Sequence, residues 1–151
     1  MYIGELCGGK PVTIQRAADL VTAANLMRSE HVGFLVVVEA GKNTGRAQPV
    51  GVLTDRDLVV SVLARDLPWK DLRVDDVMVR DPMVVSTNTS IGVAVKQLRF
   101  RGVRRAPVID SSGDLVGVVS LDDILESLAS TLADVSASLH REQQFERAVR
   151  R

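Results

Sequence analysis

Apolar and polar positions along the chain switch between a helical and an extended period, and the order of those switches occurs twice. Val12–Ile14 reads as a short strand. Asp19 is placed as the N-cap of a helix to about Glu30, with Leu20, Ala24, Met27 and the His31-Val32 pair at helical spacing. Gly33 is expected to end it. Phe34–Val38 is an unbroken apolar run, predicting a strand buried on both faces. Ala40–Pro49, with two glycines, an Asn and a Pro, predicts a loop into a strand at Val50–Thr54, and Asp55–Arg65 a helix. Asp66–Arg73 breaks the pattern. The same order then returns: a short amphipathic turn at Val74–Val79, a strand at Met83–Val85, and a helix capped by Ser90 to about Arg101. Ala106–Ile109 and Leu115–Ser120 are strands around a tight SSGD turn. A last helix starts near Leu121 and extends past residue 140.

The two halves align residue by residue. GVLTDRD at 51–57 matches GVVSLDD at 117–123 with an offset of 66, while upstream Pro11 matches Pro82 and Leu6 matches Val77 with an offset of 71. The difference is absorbed between strands, where Ala40–Pro49 is longer than Ser111–Leu115. This internal duplication predicts an α/β (α+β) fold of two stacked β-α-β-β-α repeats related by pseudo-twofold symmetry, plus an extended C-terminal helix. The expected divisions are repeat 1 over 1–66, a linker over 67–73, repeat 2 over 74–130 and a helical extension over 131–151. A β-α-β-β-α unit of this size cannot close a core alone, so the repeats must bury each other. Trp69, in the linker, is expected to cover apolar surface.

Composition removes several function classes. Apolar residues at 46% suffice for a core, and 19 basic against 19 acidic side chains cancel, which withdraws the electrostatic support that nucleic-acid binding needs. Cys7 alone excludes an internal disulfide or a cysteine zinc site and fits a reducing, cytoplasmic setting. His31 and His140 lack metal-ligand spacing. MYIGELCGG has no signal-peptide character, and no apolar run is long enough to span a membrane. No phosphate-loop or dinucleotide fingerprint is present, and neither histidine has a nucleophilic or acidic partner in sequence, so no catalytic residue is assigned.

What remains is the repeated phrase. Thr54-x-x-Asp57 and Ser120-x-x-Asp123 have the form of a helix-start capping box, in which hydroxyl and carboxylate satisfy free N–H groups reciprocally. A single occurrence favours that structural reading. Occurrence at equivalent points, each after a strand carrying a glycine (Gly51, Gly117), adds a second: a helix N-terminus attracts phosphate and a nearby acid can accept from a ribose diol.

With its leading segments ending at Pro11 and Pro82, the runs MRSEHVG and LRFRGVRRAPVID, and the two G-h-h-[ST]-x-x-D phrases, the chain resembles the paired cystathionine-β-synthase-type (CBS) domain, or Bateman module, from Tyr2 to about Ala129. The resemblance implies a regulatory module that binds an adenine nucleotide (AMP, ADP or ATP, or else S-adenosylmethionine or NAD) between the repeats, with or without Mg²⁺, and needs no obligatory cofactor. Carried over, the hydroxyls of Thr54 and Ser120 meet phosphate and Asp57 and Asp123 meet ribose. The base would lie on Cys7–Val12 and Val32-Gly33 in the Ser120 cleft, and on Met78–Met83 and Val103-Arg104 in the Thr54 cleft. Arg104-Arg105 stand where repeat 1 has Gly33-Phe34, so one cleft alone gains a cationic pair, read equally as a phosphate contact or a solvated surface pair. Cys7/Gly8 and Met78/Val79 stand where many members of the family place a Thr or Ser.

The rival reading is a scaffold that binds nothing small and acts through its surfaces. Leu121, Leu125, Leu128, Leu132, Val135 and Leu139 alternate steps of four and three, a heptad seam. Its first half is expected to be core within the module and its remainder to pair with a second copy. The chain is thus expected to be a free-standing cytoplasmic homodimer that signals nucleotide occupancy to itself or to an effector protein.

Overall fold

The computed structural model describes residues 1–150. Repeat 1 contributes α1 (Ile3–Leu6), β1 (Thr13–Gln15), α2 (Leu20–Glu30), β2 (Phe34–Ala40), β3 (Ala47–Thr54) and α3 (Asp55–Asp57), which continues as a π-helical stretch over Leu58–Leu63. After a single 3₁₀ turn at Trp69–Asp71 come α4 (Val74–Val77), β4 (Val79–Arg80), β5 (Val85–Ser86), α5 (Ile91–Arg101), β6 (Arg105–Ile109), β7 (Leu115–Ser120) and α6 (Leu121–Val149). The strands form two sheets, ordered β1-β2-β3-β4 and β5-β6-β7. In each, the first strand runs parallel to the second, and the second pairs antiparallel with the third in a hairpin.

Local chemistry explains where the elements stop. The Asp19 carboxylate accepts from the Thr22 N–H at 2.7 Å, the expected cap. Ser90 occupies the same position on α5 but its side chain makes no capping bond. α2 is closed two residues before Gly33, on His31 in the left-handed conformation at φ 54°, which accommodates the abrupt exit into β2.

The leading helices are exchanged between the repeats. Ile3 of α1 is wholly buried among Val85, Ile91, Leu98, Val108 and Val119 of repeat 2. Val74 of α4 is wholly buried among Ile14, Leu20, Leu35 and Leu53 of repeat 1. The backbone bonds holding them obey the offset of the duplication. Ile3 and Gly4 N–H donate to Thr89 and Thr87, and Val74 and Asp75 N–H donate to Ala18 and Arg16, all at 2.9 Å. β4 extends the exchange, pairing Arg80 and Val79 with Gly51 and Val52 of β3.

Two polar ties break the symmetry. Arg16 reaches Asp75 at 2.7 Å and Glu39 at 2.6 Å, while Arg80 reaches Asp75 at 3.2 Å, so the start of repeat 2 is strapped to repeat 1. The long loop between β2 and β3 lies against the SSGD turn. There the Thr44 hydroxyl donates to Asp114 Oδ1 at 2.7 Å and the Gln48 amide to the same oxygen at 3.0 Å. Asp114 is 1% exposed, and its Oδ2 has only Arg46, at 3.6 Å, as a counter-charge. The hydrogen bond from Thr44 is the main cause holding the Asp114 carboxyl below its ordinary value of 3.8.

α6 departs from expectation. Its buried residue is Ile124, with Leu121 half-buried, whereas Leu125 and Leu128, expected in the core, are 67% and 43% exposed. A single straight helix can turn only one stripe inward, and Ile124 takes it; the heptad seam lies on an adjacent stripe. No helix is long and apolar enough to cross a membrane among the described residues.

Two outcomes test this architecture. Ile3→Ala should cost about 2–5 kcal/mol in urea unfolding, the usual penalty for truncating a buried isoleucine, although the residue sits in a four-residue helix at the N-terminus. Because the folded pKa values of Asp114 and Asp75 lie below the unfolded ones, their stabilisation is complete above the ordinary carboxylate range and is lost as pH falls through it. The melting temperature should therefore begin to drop as pH falls below about 5 and go on dropping through the folded pKa values below 3.8, less steeply in Asp114→Asn.

Candidate functional site

Each repeat's final helix begins on the repeated phrase, and both phrases are closed capping boxes. Thr54 Oγ1 accepts the Asp57 N–H at 3.1 Å and Asp57 Oδ2 accepts the Thr54 N–H at 2.9 Å. Ser120 Oγ accepts the Asp123 N–H at 3.1 Å and Asp123 Oδ2 accepts the Ser120 N–H at 2.8 Å. The boxes differ in one bond. The Ser120 hydroxyl also donates to Asp123 Oδ2 at 2.6 Å, and Ser120 is 7% exposed. Among the described residues the Thr54 hydroxyl acts only as an acceptor, and it stands half-open to solvent.

The glycines before these phrases have a structural cause. A Cβ on Gly51 would lie 2.6 Å from Met78 Sδ and 3.0 Å from the Val79 carbonyl; one on Gly117 would lie 3.0 Å from Cys7 Cβ. The group that approaches each strand is therefore the exchanged leading segment, which brings Met78 to Gly51 and Cys7 to Gly117.

A cavity of about 860 Å³ opens at the Thr54 box. Repeat 1 lines it with Gly33, Phe34, Val52 and Thr54–Asp57, and repeat 2 with Val79–Met83, Arg101–Arg105, Pro107 and Asp122. Of the residues expected at a site, it brings together Thr54, Asp57, Gly33, Met83, Val103, Arg104 and Arg105. Gly33 lines this cavity, although the sequence assigned it to the Ser120 cleft. β2 begins directly beside α3, with the Asp55 N–H donating to the Gly33 carbonyl at 3.1 Å, and a Cβ on Gly33 would sit 2.5 Å from Asp55 Oδ2. Val12 and Val32 pack against the core of repeat 1, and Ser120 and Asp123 are not in this lining.

The walls carry opposite emphasis. The first presents the carboxylates of Asp55 and Asp57 with Arg56; the second presents Arg80, Arg101, Arg104 and Arg105 with Asp81 and Asp122. Arg104 Nη2 donates to Asp122 Oδ1 at 3.2 Å, a pair whose members are 76% and 63% exposed, so an incoming anion exchanges one solvated partner for another at little cost. Asp81, before Pro82, holds φ 47°, a left-handed turn that carries the chain from β4 into the cavity wall. Sequence reasoning missed Arg101 and Asp122, while Arg80 and Asp81 fall within the Met78–Met83 stretch expected on this cleft. Arg101 was within reach, because it sits in the same LRFRGVRR run as Arg104. The β3–β4 pairing that sets Arg80 and Asp81 on this wall has no local signal.

Two stacked repeats joined by exchanged leading helices, with a cavity between them at one helix start, define a tandem-repeat module. The CBS domain matches residues 3–64 and 74–130, and the chain belongs to that family. It is 30% identical to the CBS domain-containing protein YhcV of Bacillus subtilis, over 82% of this chain and 87% of that one. The CBS domain protein PAE2072 of Pyrobaculum aerophilum, solved in complex with AMP, superposes with a TM-score of 0.72 at 25% identity, over 86% of this chain and 99% of that one. The hexameric CBS-CP12 protein of bloom-forming cyanobacteria superposes with a TM-score of 0.72 at 28% identity, over 83% of this chain and 66% of that one.

Ser120→Ala removes an N-cap acceptor and should lower the stability of ligand-free protein by about 0.5–2 kcal/mol, read from urea unfolding monitored by circular dichroism.

Proposed function

We propose that the chain is a regulatory module that binds one adenine nucleotide, in the Thr54 cleft. The observation that carries this is the cavity that sets Thr54 and Asp57 on one wall against Arg101, Arg104 and Arg105 on the other. A nucleoside phosphate matches both walls. Asp57 can accept from a ribose diol while the Thr54 hydroxyl, an acceptor in the capping box, is left to donate to phosphate. The guanidiniums supply forked donors to further phosphate oxygens. Met83, Val103 and Pro82 offer the apolar surface that a purine ring needs. AMP in the similar Pyrobaculum protein supports the ligand class.

The Ser120 cleft is read as structural, since its hydroxyl already donates to Asp123 and is buried. Occupancy is transmitted because the ligand touches both repeats and so favours the arrangement in which the walls stand at nucleotide width. The module acts as a homodimer, or on an effector protein, in the cytoplasm, and does no chemistry on its ligand. S-adenosylmethionine and NAD are the competing ligands. The scaffold reading keeps one observation in its favour: capping alone accounts for both hydroxyl–acid pairs.

Isothermal titration and thermal melting with AMP, ADP and ATP separate these readings. At a hundred times its Kd a nucleotide should stabilise the chain by about 2.7 kcal/mol, a rise of roughly 5–11 °C for this length, with one nucleotide per chain. Asp57→Ala should weaken binding by about 1.5–3 kcal/mol, while Asp123→Ala leaves it nearly unchanged. Arg104→Ala and Arg105→Ala should weaken ATP more than adenosine. Should adenine nucleotides, S-adenosylmethionine and NAD all leave the melting curve unmoved, the scaffold reading stands instead.

A further inference from the structure

Four carboxylates line the cavity at the Thr54 box, and three of them are engaged. Asp55 Oδ1 accepts the Arg56 N–H at 2.8 Å, Asp57 Oδ2 accepts the Thr54 N–H at 2.9 Å, and Asp122 Oδ1 accepts from Arg104 Nη2 at 3.2 Å. Asp81 is the fourth. It is exposed and makes no side-chain hydrogen bond or ion pair among the described residues. It stands directly before Pro82, which with Met83 and Val103 forms the apolar surface of the cavity. Its neighbour Arg80 lines the cavity as well and is steadied by Asp75. Arg80 Nη2 donates to the Asp75 carbonyl at 2.9 Å and lies 3.2 Å from Asp75 Oδ2, while Nε and Nη1 make no hydrogen bond among the described residues. The two residues therefore offer the cavity an acceptor-only group beside unspent donors.

That combination distinguishes purines. Adenine sets its 6-amino donor beside a ring-nitrogen acceptor, whereas guanine presents two acceptors, O6 and N7, the pattern a guanidinium alone binds best. An acceptor next to a donor is the complement of adenine. The sister repeat lacks it: Asp81 falls on Lys10 as Pro82 falls on Pro11, and a lysine only donates. We infer that Asp81 is the base-selecting residue of the Thr54 cleft, accepting from the 6-amino group of a purine nucleotide while Arg80 donates to the adjacent ring nitrogen. This rests on the nucleotide reading above and narrows the ligand to 6-aminopurines over 6-oxopurines. Asp81 holds φ 47°, a conformation that asparagine shares readily, so its carboxylate can be replaced without redrawing the turn.

Calorimetric titration with AMP and with IMP tests this, because the two share ribose and phosphate and differ only at C6 and N1 of the base. The wild-type chain should bind AMP about five- to a hundredfold more tightly than IMP, the range for one paired contact with a base edge. In Asp81→Asn the amide can turn either its oxygen or its nitrogen to the base, so the ratio should fall to within about threefold. Asp81→Gly also accepts a positive φ and should lose the preference in the same way. A wild-type ratio preserved in both variants, whether or not both nucleotides weaken together, overturns the inference and leaves the nucleotide reading standing. A wild type that binds AMP and IMP alike does the same. Failure of the wild type to bind either one overturns this inference and the nucleotide reading together.

Discussion

The burial of Ile3 and Val74 in each other's repeat is the constraint on which the structure depends. A three- or four-stranded sheet with two helices leaves one end of its apolar face open, and a four-residue helix from the sister repeat fills each opening. The glycines at 51 and 117 follow from it, because a side chain there would collide with the segment that trails each leading helix. So does the cavity, whose second wall is built from residues just after α4 and just after α5. The candidate site is thus a by-product of how the core is closed.

Periodicity and duplication made the order of elements legible, along with the pairing of Thr54 with Asp57 and of Ser120 with Asp123. Both are local properties. Gly51 and Gly117 were legible as places of close approach, but the approaching group was not, since Met78 and Cys7 arrive through tertiary exchange. The Met78–Met83 stretch was expected on the Thr54 cleft through the family resemblance, but that β4 pairs with β3 and so sets Arg80 and Asp81 on its wall was not legible. The same limit hid the tie at Asp114, where Thr44 and Gln48 come from a loop that reads as a mere insertion. α6 failed for a different reason. Its heptad seam and its core-facing Ile124 are neighbouring stripes on one cylinder, and spacing alone does not say which one the module takes.

A symmetric frame thus carries asymmetric chemistry. The backbone bonds of the leading helices repeat faithfully, yet Arg16 meets Asp75 and Glu39 where repeat 2 has Thr87, and Asp114 has its loop partners on one side only. The arginines at 104 and 105 face Asp57 across the open cleft, while their counterparts Gly33 and Phe34 carry no charge. Sequence divergence has gone into side chains that touch solvent or the sister repeat, while the buried aliphatic positions kept their spacing.

The exchanged helices also say what each half would do as a separate molecule. A lone repeat with its leading helix detached could complete its core only by borrowing that helix from another molecule, and lending its own in return. Two such molecules would already have formed the arrangement seen here as a swapped dimer of separate chains. Joining their genes end to end then required nothing more than a tether between Leu63 and Val74, where the chain now makes one 3₁₀ turn. The covalent connection then supplies only nearness, and each half has the shape of a subunit.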